Sequence, residues 1–107
     1  MINATFSVKS IGVNEPGDFN IVLRVNDNFT AKFVNQNHEL VGTVSVLVKE
    51  ILYDSSGVCV LFYNGYYQRD LIMEIGDILE CSGVGDNGEE IHITITLSQV
   101  SLIGGKI

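Results

Sequence analysis

The sequence predicts a single all-β domain of five strands with one short helix between the third and fourth. Three observations carry that prediction. Apolar residues recur at every second position in four separate stretches, 19–25, 44–48, 58–62 and 91–97, the period of a strand with one buried face. The 46% hydrophobic fraction draws heavily on valine, isoleucine, leucine and aromatics, whereas alanine is scarce and Pro16 is the only proline, a composition that favours strands. The 107 residues suffice for one core and are too few for two, so residues 1–107 are read as one domain.

In chain order, Thr5 to Ile11 reads as a short extended segment, and Asn14-Glu-Pro-Gly-Asp18 as a turn punctuated by its Pro-Gly pair. The first clear strand follows over Asp18 to Asn26, with Phe19, Ile21, Leu23 and Val25 on the core face and Asn20, Val22, Arg24 and Asn26 on the other. Residues 27–39 read as a long, largely polar connection in which Phe29, Phe33 and Val34 are the main apolar exceptions. These aromatics either fold back onto the end of the barrel or flank Lys32 as a stacking site. Val44, Val46 and Val48 then alternate with Thr43, Ser45, Leu47 and Lys49, and register is lost around Glu50-Ile-Leu52, as at a β-bulge.

Asp54-Ser-Ser-Gly57 is the next turn, and Val58 to Tyr63 returns from it antiparallel with Val58, Val60 and Phe62 inward. Its other row, Cys59, Leu61 and Tyr63, is also apolar, so a second surface must bury or cover it. Tyr66 to Glu74 shows near-helical spacing at Tyr67, Leu71 and Met73 or Glu74, which predicts the short helix, with a strand as the alternative. Ile78 to Ser82 is the fourth strand. The fifth places Ile91, Ile93, Ile95 and Leu97 inward and His92, Thr94, Thr96 and Ser98 outward, and Val100 to Gly105 continues it after a slip in register.

Chemistry-bearing motifs are few. Gly83-Val-Gly-Asp-Asn-Gly88 matches G-x-G-x-x-G, but a strand follows where a nucleotide-binding loop requires a helix, and Asn87-Gly88 is a hairpin turn signal. Cys59 and Cys81 lack metal-ligand spacing, and a zinc site would need the distant His38 and His92, so no metal or other cofactor is expected and both cysteines read as small reduced hydrophobes. No nucleophile and base are brought together by the strand order, and Asp70 and Glu74 read as a solvated pair. An enzyme is therefore not expected. Asn3 and Asn28 head Asn-x-Thr triplets, which matter only in a secreted chain. No leader-like start or membrane-length apolar run is visible, so the expected location is intracellular, cytoplasmic or nuclear.

Five strands with one helix between the third and fourth is the order of the OB-fold, a partly open Greek-key barrel; another small barrel with 66–74 as a strand is the alternative. The chain resembles single-stranded DNA-binding proteins of the replication protein A type, including short members with a single OB-fold. The resemblance runs from about Val8 to Leu102 through Pro16-Gly17, Asp54-Ser-Ser-Gly57, the alternating strand that ends in an aromatic, and Ile75-Gly-Asp-Ile78. It implies that Tyr63 matches the outward aromatic on which a base stacks. Where such proteins usually carry basic and aromatic side chains in the hairpin before the last strand, this chain has Asp86, Glu89 and Glu90.

Two functional expectations follow. The first is a non-enzymatic binder of single-stranded DNA or RNA, acting in replication, repair or end protection, with Tyr63, Phe33 and Phe29 as stacking platforms and Arg24, Lys32 and Lys49 on phosphates. Its net charge of −7, from 13 acidic and 6 basic residues, opposes strong phosphate binding and predicts a weak affinity that salt erodes. The second is an acidic structural subunit that binds a protein partner or a second copy through Cys59, Leu61 and Val22, with Leu47 and Leu79 as further candidates, because exposed apolar patches mark interfaces. A small viral or phage structural protein is a third possibility on the same fold.

Overall fold

The structure, a computed structural model, describes residues 2–12, 17–35, 38–52, 57–64, 68–84, 88 and 90–102. They form eight strands: β1 (Ile2–Ile11), β2 (Phe19–Leu23), β3 (Asn28–Val34), β4 (Leu40–Leu52), β5 (Gly57–Tyr63), β6 (Gln68–Glu74), β7 (Ile78–Val84) and β8 (Glu90–Leu102). They make two four-stranded sheets, ordered β2-β1-β8-β7 and β3-β4-β5-β6. All six pairings are antiparallel, and each joins sequence neighbours except β1 with β8, which brings the two ends together. The chain thus follows a circuit that is interrupted between β2 and β3 and between β6 and β7, where it passes from one sheet to the other.

The core is the sum of the inward rows. Ala4, Phe6 and Val8 of β1 and Ile91, Ile93, Ile95 and Leu97 of β8 come from one sheet, and Val44, Val46 and Val48 of β4 and Val58, Val60 and Phe62 of β5 from the other; all are buried. Burying a side chain of this size contributes about 1.5–3 kcal/mol. This is why the central strands carry β-branched residues at alternate positions while their other faces vary freely. The expected inward rows of 44–48, 58–62 and 91–97 are all found. The loss of register expected around Glu50 to Leu52 falls just before those residues, at Lys49, which is skipped in the β4–β5 pairing.

The halves of the chain repeat one another. Each of the two passages between sheets is a tight turn closed by an aspartate. In Arg24–Asp27 the Asp27 amide donates to the Arg24 carbonyl at 3.0 Å and the Arg24 amide donates to Asp27 Oδ2 at 3.0 Å. In Glu74–Asp77 the Asp77 amide donates to the Glu74 carbonyl at 2.9 Å and the Glu74 amide donates to Asp77 Oδ2 at 2.9 Å. The residue before each aspartate has positive φ, 73° at Asn26 and 94° at Gly76. Asn26 donates to the carbonyl of Val48 while Val48 donates to that of Asp27, and Gly76 and Leu97 do the same with Asp77. One residue later each long strand bulges, at Lys49 in β4 and at Ser98 in β8. Superposing β1–β4 on β5–β8 therefore exchanges the two sheets, matching Phe6 with Val60, Leu23 with Met73, Phe29 with Leu79 and Val48 with Leu97, all buried. The two halves thus duplicate one another in strand order, turn bonding and bulge position, a pseudo-twofold repeat that their differing side chains hide.

Several expectations are corrected. Residues 68–74 are a strand and not a helix, because Leu71 and Met73 face the core while Asp70, Ile72 and Glu74 face out. The supposed connection after Asp27 holds β3, with Phe29, Ala31 and Phe33 alternating inward. The first expected strand stops at Leu23, and Val25 lies 44% exposed in the turn and not in the core. Thr5 to Ile11 belongs to a full strand, so the count is eight strands and not five, and no helix occurs among the described residues. The turns expected at 14–16 and 54–56, the acidic hairpin residues Asp86 and Glu89, and the tail beyond residue 102 lie outside the described residues.

Candidate functional site

The two sheets present their outer faces to solvent, and the residue registers fix what each face carries. On the β3-β4-β5-β6 sheet, Leu61 lies beside Leu47 on one side and Asp70 on the other. Toward one end, Tyr63 is flanked by Ser45 and Gln68; toward the other, Cys59 is flanked by Glu50 and Ile72. The edge strand β3 adds Asn28, Thr30 and Lys32. Ile72 is 62% exposed and Tyr63 40%, whereas Leu47, Cys59 and Leu61 are half-buried by their neighbours.

Beside the β4 bulge a shallow, open depression of about 460 Å³ is lined by Lys49, Glu50, Cys59, Asp70 and Ile72, with Val60 and Leu71. Lys49 Nζ donates to Asp70 Oδ1 at 2.9 Å across its mouth. Both partners are well exposed, so this pair is worth about 0.2–1 kcal/mol. It does mask the lysine charge. Thr30 and Ser45 share a hydroxyl hydrogen bond of 2.6 Å. Lys32 and Glu50, at opposite ends of the face, make no ion pair with any described residue.

The outer face of the β2-β1-β8-β7 sheet differs in kind. Its rows read Thr5, Ser7, Lys9 and Ile11 on β1, Thr94 and Thr96 on β8, Ile78, Glu80 and Ser82 on β7 and Asn20 and Val22 on β2. Its centre is therefore polar, and its exposed apolar residues, Ile11, Val22 and Ile78, stand apart at its margins. His92 stands there with Nδ1 4.0 Å from Glu80 and Nε2 3.6 Å from Glu90. No group of three or more metal-ligating side chains occurs among the described residues. Cys81 points toward the core from β7, and burial pushes its thiol pKa up; a hydrogen bond with Asn64 opposes the shift and the Glu80 carboxylate adds to it.

Tyr63, Lys32, Lys49, Cys59 and Leu61 all lie on the β3–β6 outer face, as the sequence suggested they could. Others of the expected set do not join them. Phe33 is 1% exposed and Phe29 8%, with Phe29 packed edge-to-face on Phe19 at 6.3 Å, so both rings are core and cannot receive a base. Leu79 is likewise buried. Arg24 sits in the β2–β3 turn with Nε 3.6 Å from Asp27, and Val22 is exposed on the opposite sheet. Ile72 was missed because 66–74 read as a helix. The alternation of Asp70, Ile72 and Glu74 against Leu71 and Met73 was the signal that could have found it.

None of the described residues forms a helix long and apolar enough to cross a membrane. Compared with known proteins, the chain matches no family model, no curated sequence and no solved structure.

Proposed function

We propose that this chain is a protein-docking module that binds its partner through the outer face of the β3-β4-β5-β6 sheet, centred on Leu61. The observation that carries the reading is the contrast between two faces that the fold makes equivalent. By the pseudo-twofold, Leu61 corresponds to Ser7, Leu47 to Thr96, Cys59 to Thr5 and Tyr63 to Lys9. At these central positions one face thus meets water with hydroxyls and a lysine, its exposed Ile11, Val22 and Ile78 being scattered at the margins, and the other carries leucines, a thiol and a phenol ring side by side. Since the same backbone folds with either set, the apolar set is not a demand of the fold. Contiguous exposed apolar surface on one face is the usual mark of an interface.

The single-stranded nucleic-acid reading, with the OB-fold relation that would support it, has less behind it. Of its three stacking aromatics only Tyr63 is accessible, and one stack is worth about 1–3 kcal/mol. Of its three cations, Lys49 is paired with Asp70 and Arg24 with Asp27, in a protein whose net charge is −7.

The test compares Leu61→Asp with Ser7→Asp, a change at the equivalent position of the polar face, using the full chain immobilised and challenged with extract of its source cells. Proteins retained by wild type and by Ser7→Asp but lost by Leu61→Asp support the reading. Retention unaffected by Leu61→Asp, together with oligo-dT binding that quenches tyrosine fluorescence and is lost in Tyr63→Ala, overturns it in favour of nucleic acid.

A further inference from the structure

Resting on that reading of the face, we infer that its occupant is a second copy of this chain, stacked sheet on sheet with the strands antiparallel. The charge layout points there. The outward charged residues of this face are Lys32 and Lys49 against Glu50, Asp70 and Glu74, a balance of 2 − 3 = −1. The other positions hold 4 basic and 10 acidic residues, hence −6. Two copies of so acidic a chain repel over most approaches, and less where two nearly balanced faces meet. The other outer face has the same balance, Lys9 against Glu80 and Glu90, but no leucine pair at its centre.

The layout is also self-complementary. Lys32 lies at one end of the face, paired with Thr43, and Glu50 and Glu74 lie at the other, while Lys49 and Asp70 satisfy each other between them. A twofold axis that crosses the strands between the Ser45–Tyr63 and Leu47–Leu61 pairs turns one face end for end over the other. Lys32 of each copy then approaches the Glu50 end of its mate, and Tyr63 of each lies over the leucine pair of the other. A twofold axis along the strands would instead set the two Lys32 ends together, with no carboxylate of this face opposite them. An isologous contact of the first kind closes on itself as a dimer.

Size sets the strength. Four strands spaced about 4.8 Å apart, over the roughly 23 Å from Thr43 to Glu50, give a face of about 450 Å² per copy. The two faces together make about 900 Å², below the roughly 1,200 Å² total of the usual stable complex, so the dimer is weak and forms as concentration rises.

Sedimentation of the full chain from about 10 μM to about 1 mM tests this. The expected result is a weight-average mass climbing from 11.7 kDa toward twice that value. Lys32→Glu and Glu50→Lys should each weaken dimerisation several-fold, the double reversal should restore it, Leu61→Asp should abolish it, and Ser7→Asp should leave it unchanged. A monomer throughout the range, a dimer indifferent to Leu61→Asp, or a double reversal that fails to restore association overturns the inference. A wild-type monomer whose Leu61-dependent capture of a different protein persists overturns the second copy alone and leaves the docking face standing.

Discussion

Replacing the two turn aspartates by alanine, singly and together, tests the duplicated architecture directly. Asp77 accepts one backbone hydrogen bond, from Glu74 at 2.9 Å, and Asp27 accepts one from Arg24 at 3.0 Å. A hydrogen bond to a charged group contributes about 1.5–3 kcal/mol, and the exposure of these turns brings the expected value to about 1 kcal/mol for Asp77→Ala. Asp27 also faces Arg24 Nε at 3.6 Å, and this exposed ion pair adds up to about 0.5 kcal/mol. Asp27→Ala should therefore cost about 1.5 kcal/mol. The turns are bonded to different long strands, one to Val48 and the other to Leu97, so the double variant should lose about 2.5 kcal/mol, the sum. In thermal melts each kilocalorie should lower Tm by about 4–5 °C for a domain of this length, and urea titration gives the free energies. Asparagine keeps an acceptor oxygen at the same place, so Asp27→Asn and Asp77→Asn should each recover at least half the loss. Alanine variants within about 0.3 kcal/mol of wild type, or asparagine variants as unstable as the alanine ones, would show that the side chains do not close these turns.

Three further outcomes are expected. Phe33→Ala should destabilise the fold by about 3–5 kcal/mol in urea titration, as for a fully buried ring; a loss below about 1 kcal/mol would return Phe33 to the surface. Gly12 and Gly76 both have positive φ, but a Cβ on Gly12 would run into the Glu90 carbonyl oxygen whereas one on Gly76 meets nothing. Gly76→Ala should cost about 1–2 kcal/mol, the backbone term alone, and Gly12→Ala clearly more, as measured by the same melts. The raised Cys81 thiol pKa means that the unfolded chain loses this proton first as pH climbs. That contribution to stability is fully present below pH about 9, the ordinary thiol value, and is lost as pH passes through the folded pKa. In a Cys59→Ser background, alkylation of Cys81 should accordingly quicken only above that pH; a rate already at its plateau near neutrality would contradict the burial of this thiol.

Strands with strict alternation and β-branched inward rows were legible, because a period of two leaves few other ways to bury Val58, Val60 and Phe62 or Ile91 through Leu97. Of the three strands not counted, β1 is central and read only as a short extended segment because Ala4, Thr5 and Ser7 blur its alternation, while β3 and β6 lie at sheet edges. There only two or three inward residues are needed, so β3 hid behind Asn28, Thr30 and Lys32, and β6 behind the coincidental helical spacing of Tyr67, Leu71 and Glu74. Edge strands also determine which residues sit side by side on the outer face. Tyr63 and Leu61 could thus be placed outward on their strand from the sequence, while Ile72 beside Cys59 could not. Two aspartates 50 residues apart, each preceded by a residue suited to positive φ, were the one visible trace of the duplication. Their context, Leu-Arg-Val-Asn-Asp27 against Met-Glu-Ile-Gly-Asp77, keeps only the apolar alternation and the acceptor, since only those are physically required.

Each half of the duplication gives two strands to each sheet, β1 and β2 to one and β3 and β4 to the other, so the halves are clasped and not set side by side. Neither can open alone, because its departure would strip both sheets of two strands and the core of part of both walls. The four central strands β1, β8, β4 and β5 should then exchange their amide hydrogens through one common, global opening. A repeat that in a solenoid would give stepwise melting here enforces a single transition.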